Sequence, residues 1–353
     1  VIKTAIRLYP VAINYLEKTP ESAIPIFTAN AIKRAIDLHS GDILAFLPGG
    51  REIRKTRELL GELNEVSIFQ LYGDLPKNIQ DEVLTKSGNY NGRRITLATP
   101  IAETSVTIPD ISVVIDCGWL RRPQYDAGAD LTGLETVRVS KANADQRAGR
   151  AGRTANGISY RLWDKSVHRG LMEYPEPEIL HCDLTRLALE LANWGITDPC
   201  HLAWLNPPPR AAFDKSKNIL RALGALDALG KITKIGRILN NLPMHPRLGM
   251  MLLKSQDLGM AELACDLTAI IEERDILAGI ANSADICARL SILNEYRRGN
   301  MCNRSKYFKD NNLLIIDKNS RQLKKFLKLN EDCPNNYNDS AVGILLGFAY
   351  PDR

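Results

Sequence analysis

No two cysteines in this 353-residue chain lie two to four positions apart, and the seven present, at 117, 182, 200, 265, 287, 302 and 333, are odd in number. That pattern speaks against a disulfide framework or a ribbon-type zinc site and leaves buried thiols as the reading. His181-Cys182 and Cys200-His201 do not change this, because neighbouring side chains diverge on regular structure. No apolar run approaches the ~18 residues of a membrane-spanning helix and no signal peptide is visible, so the expected location is cytoplasmic, with no membrane partner. Two phosphate-handling motifs are also missing. There is no Gly-x-x-x-x-Gly-Lys-Ser/Thr loop; its nearest lookalike, Gly224 through Gly230-Lys231-Ile232, has the wrong spacing and no hydroxyl. There is no Asp-Glu-x-His either.

What remains is ordinary globular material, 44% hydrophobic and long enough for two or three separate cores. A net charge of +5 is compatible with a polyanionic partner without requiring one. The chain starts at Val1 rather than methionine and stops at Tyr350-Pro351-Asp352-Arg353, just after an apolar segment; it reads as a piece cut from a longer protein.

The first ~165 residues alternate apolar strand-like runs with helical stretches, the pattern of a parallel sheet covered on both faces. Strands are expected at 43–47, 67–72, 94–99, 112–116 and 158–163, and helices at 29–38 and 52–63. Ligands of open α/β sheets gather beyond the carboxyl ends of strands, which directs attention to the segments after them. Gly49 and Gly50 follow the first strand, where a residue without Cβ suits either close approach of a phosphodiester or a tight strand-to-helix turn. Thr104, Ser105 and Thr107 follow the third, where hydroxyls bond phosphate oxygens irrespective of base. Residues 121–126 and 134–139 flank a glycine-containing turn and read as a projecting β-hairpin.

The densest phosphate chemistry is Gln146-Arg147-Ala148-Gly149-Arg150-Ala151-Gly152-Arg153. At about 100° per residue, Gln146, Arg150 and Arg153 fall within roughly 60° of one another, Ala148 and Ala151 lie opposite, and Arg147 stands about 100° from Gln146. Guanidinium forks bind phosphate bidentately and stay charged, so this face suits the terminal phosphate of a nucleotide. A salt-bridged arginine helix is the plainer alternative.

Beyond Pro175 and Pro177, read as a linker, helices dominate. An amphipathic helix at 184–194, another at 211–223, a turn at 226–233 and a helix capped by Thr233 compose a small winged-helix module, for which a structural role is expected. Between Arg289 and Lys328 eleven Lys and Arg face three acidic residues, a local excess larger than the net charge of the whole chain. On 321–329, Leu323, Phe326 and Leu327 form an apolar stripe that leaves Arg321, Lys324, Lys325 and Lys328 outside it as a surface for a nucleic-acid strand.

Four of these segments, Phe46-Leu47-Pro48-Gly49, Leu71-Tyr72-Gly73-Asp74-Leu75-Pro76, Ala102 through Ile108 and Gln146 through Arg153, occur in the order and spacing of the second RecA-like domain of DEAH-box helicases, which the chain therefore resembles. Further stretches, Leu191 to Gly195, Leu202 to Pro209, Leu242 to Leu248 and Ala349 to Arg353, resemble the bacterial HrpB-type branch, extending the likeness over essentially the entire chain. The resemblance implies that Gln146, Arg150 and Arg153 meet the ATP γ-phosphate across a cleft between two RecA-like domains. It also implies that Gly49, Ser105 and Thr107 touch the nucleic-acid backbone. Pro100 departs from a common asparagine, and Leu84 from a phenylalanine that eukaryotic members place against adenine, so no base contact is implied there.

The expectation is thus an α/β RecA-like parallel-sheet domain (1–166), a linker and winged helix (167–245) and a helical bundle (246–353). Together they would form the C-terminal part of an ATP-dependent helicase, with ATP and magnesium held mainly by an N-terminal domain. Its partner would be single-stranded or partly duplex nucleic acid, RNA before DNA. The rival readings are a nucleic-acid-binding adaptor without ATPase activity and a nucleotide-binding α/β enzyme of another kind. Oligomeric state is not legible.

Overall fold

The computed structural model describes residues 9–63, 65–73, 75–85, 92–104, 108–126, 128, 131–277, 283–299, 310–329 and 339–353. The chain forms two compact units, 1–182 and 183–353.

In the first unit the chain runs β1 (Val11–Tyr15), α1 (Ile24–Leu38), β2 (Asp42–Phe46), α2 (Gly50–Leu60), β3 (Val66–Leu71), α3 (Lys77–Thr85), β4 (Arg93–Ala98) and the single turn α4 (Ile101–Thr104). It continues through β5 (Ile111–Asp116), β6 (Trp119–Asp126), β7 (Leu131–Arg138), α5 (Lys141–Gly149), a 3₁₀ turn (Arg150–Gly152), β8 (Gly157–Arg161) and α6 (Lys165–Gly170). Six strands make one parallel sheet in the order β1-β8-β5-β2-β4-β3. The central strands are apolar on both faces. Ile43 and Ala45 of β2 join a core with Ile32, Ile53, Ile95 and Val113, whereas Leu44 and Phe46 point into a second core with Val83, Ala102, Val114 and Ala151. That two-sided burial is why these strands read as continuous hydrophobic runs.

Register decides where the site forms. Tyr15 pairs with Arg161, Arg161 with Asp116, Asp116 with Phe46, Phe46 with Ala98, and Ala98 with Leu71. All six strands therefore end level, and the segments that follow them emerge along one edge. The hairpin β6–β7 is a separate antiparallel sheet, paired from Trp119–Arg138 to Asp126–Leu131. The stretch read as a linker is fastened to the hairpin and to the start of α5: His181 O accepts from Tyr125 N at 2.7 Å, Glu176 pairs with Arg122, and Met172 O accepts from Lys141 N at 2.9 Å. These bonds carry the first unit to Cys182.

The second unit contains α7 (Thr185–Asn193), α8 (Arg210–Ala222), α9 (Lys234–Asn240), α10 (Pro246–Asp257), α11 (Ala261–Glu272), α12 (Ile286–Arg297), α13 (Asp310–Phe326) and α14 (Asp339–Ala349). An antiparallel bridge, Leu226 with Ile232, makes the small wing between α8 and α9. Thr233 caps α9 as expected, its hydroxyl accepting from Gly236 N at 3.0 Å. Leu248, Met251, Leu263, Leu267, Leu293, Leu313 and Leu345 lie in the core of the bundle.

Candidate nucleotide and nucleic-acid site

The arginine helix is built from its start. Ser140 caps α5 by accepting from Asn143 N at 3.1 Å, and Asn143 Oδ1 accepts from the Ser140 hydroxyl at 2.7 Å and, more weakly, from Ser140 N. This closes a capping box that fixes the direction of the helix. The α-helix ends at Gly149, and Arg150 begins a 3₁₀ turn. In a 3₁₀ turn residues three apart eclipse, which brings Arg153 over Arg150.

The helical-face expectation is corrected in part. Gln146 and Arg153 are exposed, but Arg150 is only 5% exposed and its Nη2 donates to the backbone carbonyl of Glu103. Burial, with the adjacent charge of Arg153, lowers the Arg150 guanidinium from its ordinary value against a smaller pull from Glu103. The charges of Arg150 and Arg153 disfavour one another, and an anion beside the exposed Arg153 would offset that. Among the described residues no three His, Cys, Asp or Glu side chains converge on a metal position.

Arg147 is fully buried beside them. Its Nε donates to Glu103 Oε1 at 2.6 Å, its Nη1 donates to Asp116 Oδ1 at 2.7 Å, and its guanidinium lies 5.0 Å from the Phe46 ring. Burial alone would lower its pKa; Asp116 and Glu103 outweigh that and raise it. Glu103, 8% exposed, holds three parts of the arginine segment at once: Arg147 at Oε1, Asn143 Nδ2 at Oε2 (2.9 Å) and Arg150 at its carbonyl. Glu103 and Asn143 carried no role in the sequence reading. Their signal was a carboxylate embedded among hydroxyls and an arginine left over from the phosphate face. Cys117, next to Asp116, is pushed up to about 12 by burial and by that carboxylate, which makes it an inert thiol.

Thr104 is exposed at the end of α4, while Ser105 and Thr107 lie outside the described residues. Gly49 is buried at the start of α2, with an extended φ of −161°. A Cβ there would lie 2.7 Å from Arg121 Nη1, and Arg121 pairs with Glu52 at 3.0 Å. The missing side chain at Gly49 is therefore accounted for by the hairpin arginine that covers it. Leu131 and Leu134, next to the hairpin tip, are 62% and 69% exposed.

In the second unit the basic face of α13 is also corrected. Arg321, Lys325 and Lys328 are exposed, but Lys324 is 5% exposed with Nζ 3.5 Å from Asp266 Oδ1, and Phe326 is 57% exposed. The buried line of α13 is Leu313, Ile316, Asp317, Ser320 and Lys324. Asp266, wholly buried on α11, gathers Arg297, Ser320 and Lys324 around itself, so the buried side of α13 takes in Lys324 while Leu323 and Leu327 still pack against the core and Phe326 does not. Arg321 is paired with Asp317 at 2.8 Å.

Residues 28–155 match the helicase conserved C-terminal domain, and residues 218–244 match the winged-helix helicase-associated domain HA2. The ATP-dependent RNA helicase HrpB of Escherichia coli is 37% identical over 273 residues, covering 76% of this chain and 33% of that protein. The pre-mRNA-splicing factor ATP-dependent RNA helicase prp22 of Schizosaccharomyces pombe is 35% identical over 283 residues, 76% of this chain and 24% of its own. The chain thus spans a third or less of these two relatives. A crystal structure of Escherichia coli DEAH/RHA helicase HrpB superposes with a TM-score of 0.81 at 33% identity, covering 98% of this chain and 41% of that one. The chain belongs to the DEAH-box helicases and is of HrpB type, with a RecA-like sheet domain preceding a winged helix and further helices.

Proposed function

We propose that this chain supplies the arginine-bearing side of an ATP site whose other side is a P-loop domain outside this sequence, and that the complete motor moves on RNA. The arginine turn carries the reading: Arg153 and Gln146 are exposed there while Arg150 is anchored on the Glu103 carbonyl between them, an arrangement that suits a γ-phosphate. ATP brings the phosphate and magnesium its countercharge. Arg153 contacts the phosphate directly, Arg150 fixes the turn beneath it through Glu103, and Gln146 orients the attacking water. Thr104, Ser105 and Thr107, with Gly49 beneath Arg121, border the nucleic-acid path; Arg321, Lys325 and Lys328 add phosphate contacts, and Lys324 holds the helix that carries them. Residues 1–166, 167–245 and 246–353 act as motor, winged-helix and bundle segments. RNA is favoured over DNA because the relatives are named as RNA helicases.

The test is RNA-stimulated ATP turnover by this chain joined to the P-loop domain of an HrpB-type relative, compared with the chain alone. The chain alone is expected to be inactive. Turnover by the joined protein should fall by on the order of 10³-fold or more in Arg153→Ala. RNA binding by a folded joined protein that shows no turnover would favour an adaptor.

A further inference from the structure

The winged-helix segment concentrates charge that the proposed motor does not use. Residues 210–237 hold seven Lys and Arg against two Asp, an excess of five that equals the net charge of the whole chain. On α8, Phe213, Ser216, Ile219 and Leu220 are buried. Arg210, Lys217 and Arg221 fall within about 40° of one another on the outer side. Lys217 is held there by donating to Thr197 O at 3.2 Å, and Arg221 is exposed.

The wing folds back onto this line. Gly230 takes a φ of +79°, and Asp227 closes the turn by accepting from Lys231 N at 2.8 Å. A Cβ on Gly230 would lie 3.7 Å from Lys217 Cε and 3.9 Å from Arg221 Nη2. The next residue, Lys231, is exposed. The turn that carries Lys231 therefore lies against Lys217 and Arg221, and among the described residues none of the three is ion-paired with a carboxylate. Asp214 is spent on Arg210 at 3.9 Å. Gly236 and Leu239 are buried on α9, whose outer side adds exposed Lys234 and Arg237.

A module that only propped the motor would have no need of this arrangement, because gathered like charges repel and destabilise the compact state. Phosphates remove that repulsion, and cations on a rigid helix and turn bind them irrespective of base. We propose that this rim, centred on Lys217, Arg221 and Lys231 and flanked by Lys234 and Arg237, is a backbone-binding surface for nucleic acid. The inference rests on the reading that the chain engages nucleic acid, and it assigns the winged helix a share of the grip.

The test is fluorescence anisotropy of a labelled single-stranded RNA with the entire chain, across salt from about 50 to 200 mM. Arg221→Gln with Lys231→Gln removes two exposed charges and no buried contact. The slope of log affinity against log salt should become shallower by about 1.4, so that the affinity lost over that fourfold rise shrinks about sevenfold. Lys18→Gln with Lys55→Gln, which removes the same charge from exposed positions of the first unit, should leave the slope unchanged. An unaltered slope in the rim variant, or the same change in both variants, overturns the rim while the broader reading stands. No binding by the unsubstituted chain overturns both.

Discussion

Arg147→Ala would remove the guanidinium that neutralises Glu103 and Asp116, which are 8% and 0% exposed. Breaking a buried ion pair by deleting one partner costs about 3–5 kcal/mol, because the other charge stays buried. Against a domain stability of about 5–15 kcal/mol this is a large fraction. In a unit of this size each kcal/mol moves the melting temperature by about 2–4 °C, so a drop of roughly 6–20 °C is expected in a far-UV circular dichroism melt at pH 7. Arg153→Ala, at an exposed position, should melt near the unsubstituted chain. If Arg147→Ala melted within about 2 °C of it at pH 7, less than even 1 kcal/mol would produce, the assignment of Arg147 as the clamp between α4, β5 and α5 would be refuted.

Lys324→Ala should lower stability by on the order of 1–3 kcal/mol, since Arg297 and Ser320 still hold Asp266, and should leave the salt dependence of RNA binding intact. Replacing Arg321, Lys325 and Lys328 by glutamine should flatten that salt dependence, and anisotropy with thermal melts separates the two outcomes. For Asp183, burial pushes the carboxyl up, but hydrogen bonds from His245 and Thr185 outweigh it and bring it down to about 2. The folded value lies below the unfolded one, so its contribution, about 2 kcal/mol, is present above roughly pH 4 and lost as pH falls towards 2. Asp183→Asn should lose that stability at pH 7, and a denaturant titration that gave no difference would remove the pair from the account. Shortening the hairpin tip between Asp126 and Leu131 in the joined motor should impair duplex unwinding while sparing ATP turnover; equal loss of both in paired assays would make the hairpin a support for the fold.

The sheet was legible because its inner strands are buried on both sides, and a run such as Ile43 to Phe46 has few other interpretations. β1 was not, because as an edge strand it leaves Ala12, Ile13 and Asn14 exposed and carries no strong pattern. Helical angles separated Arg147 from its neighbours, but angles do not say what waits on each side, and the carboxylates that claim it come from α4 and β5. The same blindness misplaced Lys324. The apolar stripe forecast the core packing of Leu323 and Leu327, but it carried no sign of the buried aspartate on another helix that draws Lys324 inward. Gly49 was open between a phosphodiester and a packing partner until Arg121 was seen over it.

The central claim is that Arg153, set over Arg150 at the end of α5, stabilises a transferring phosphoryl group. A transition-state mimic tests it most directly, because a transition-state interaction strengthens binding of the mimic far more than of the ground state. ADP with aluminium fluoride, titrated against ADP alone on the joined two-domain protein, should bind Arg153→Ala at least about tenfold more weakly while ADP affinity changes little, as expected for a residue worth on the order of 10³ in turnover. Equal affinity of Arg153→Ala and the unsubstituted protein for the mimic, with both folded, would contradict the account.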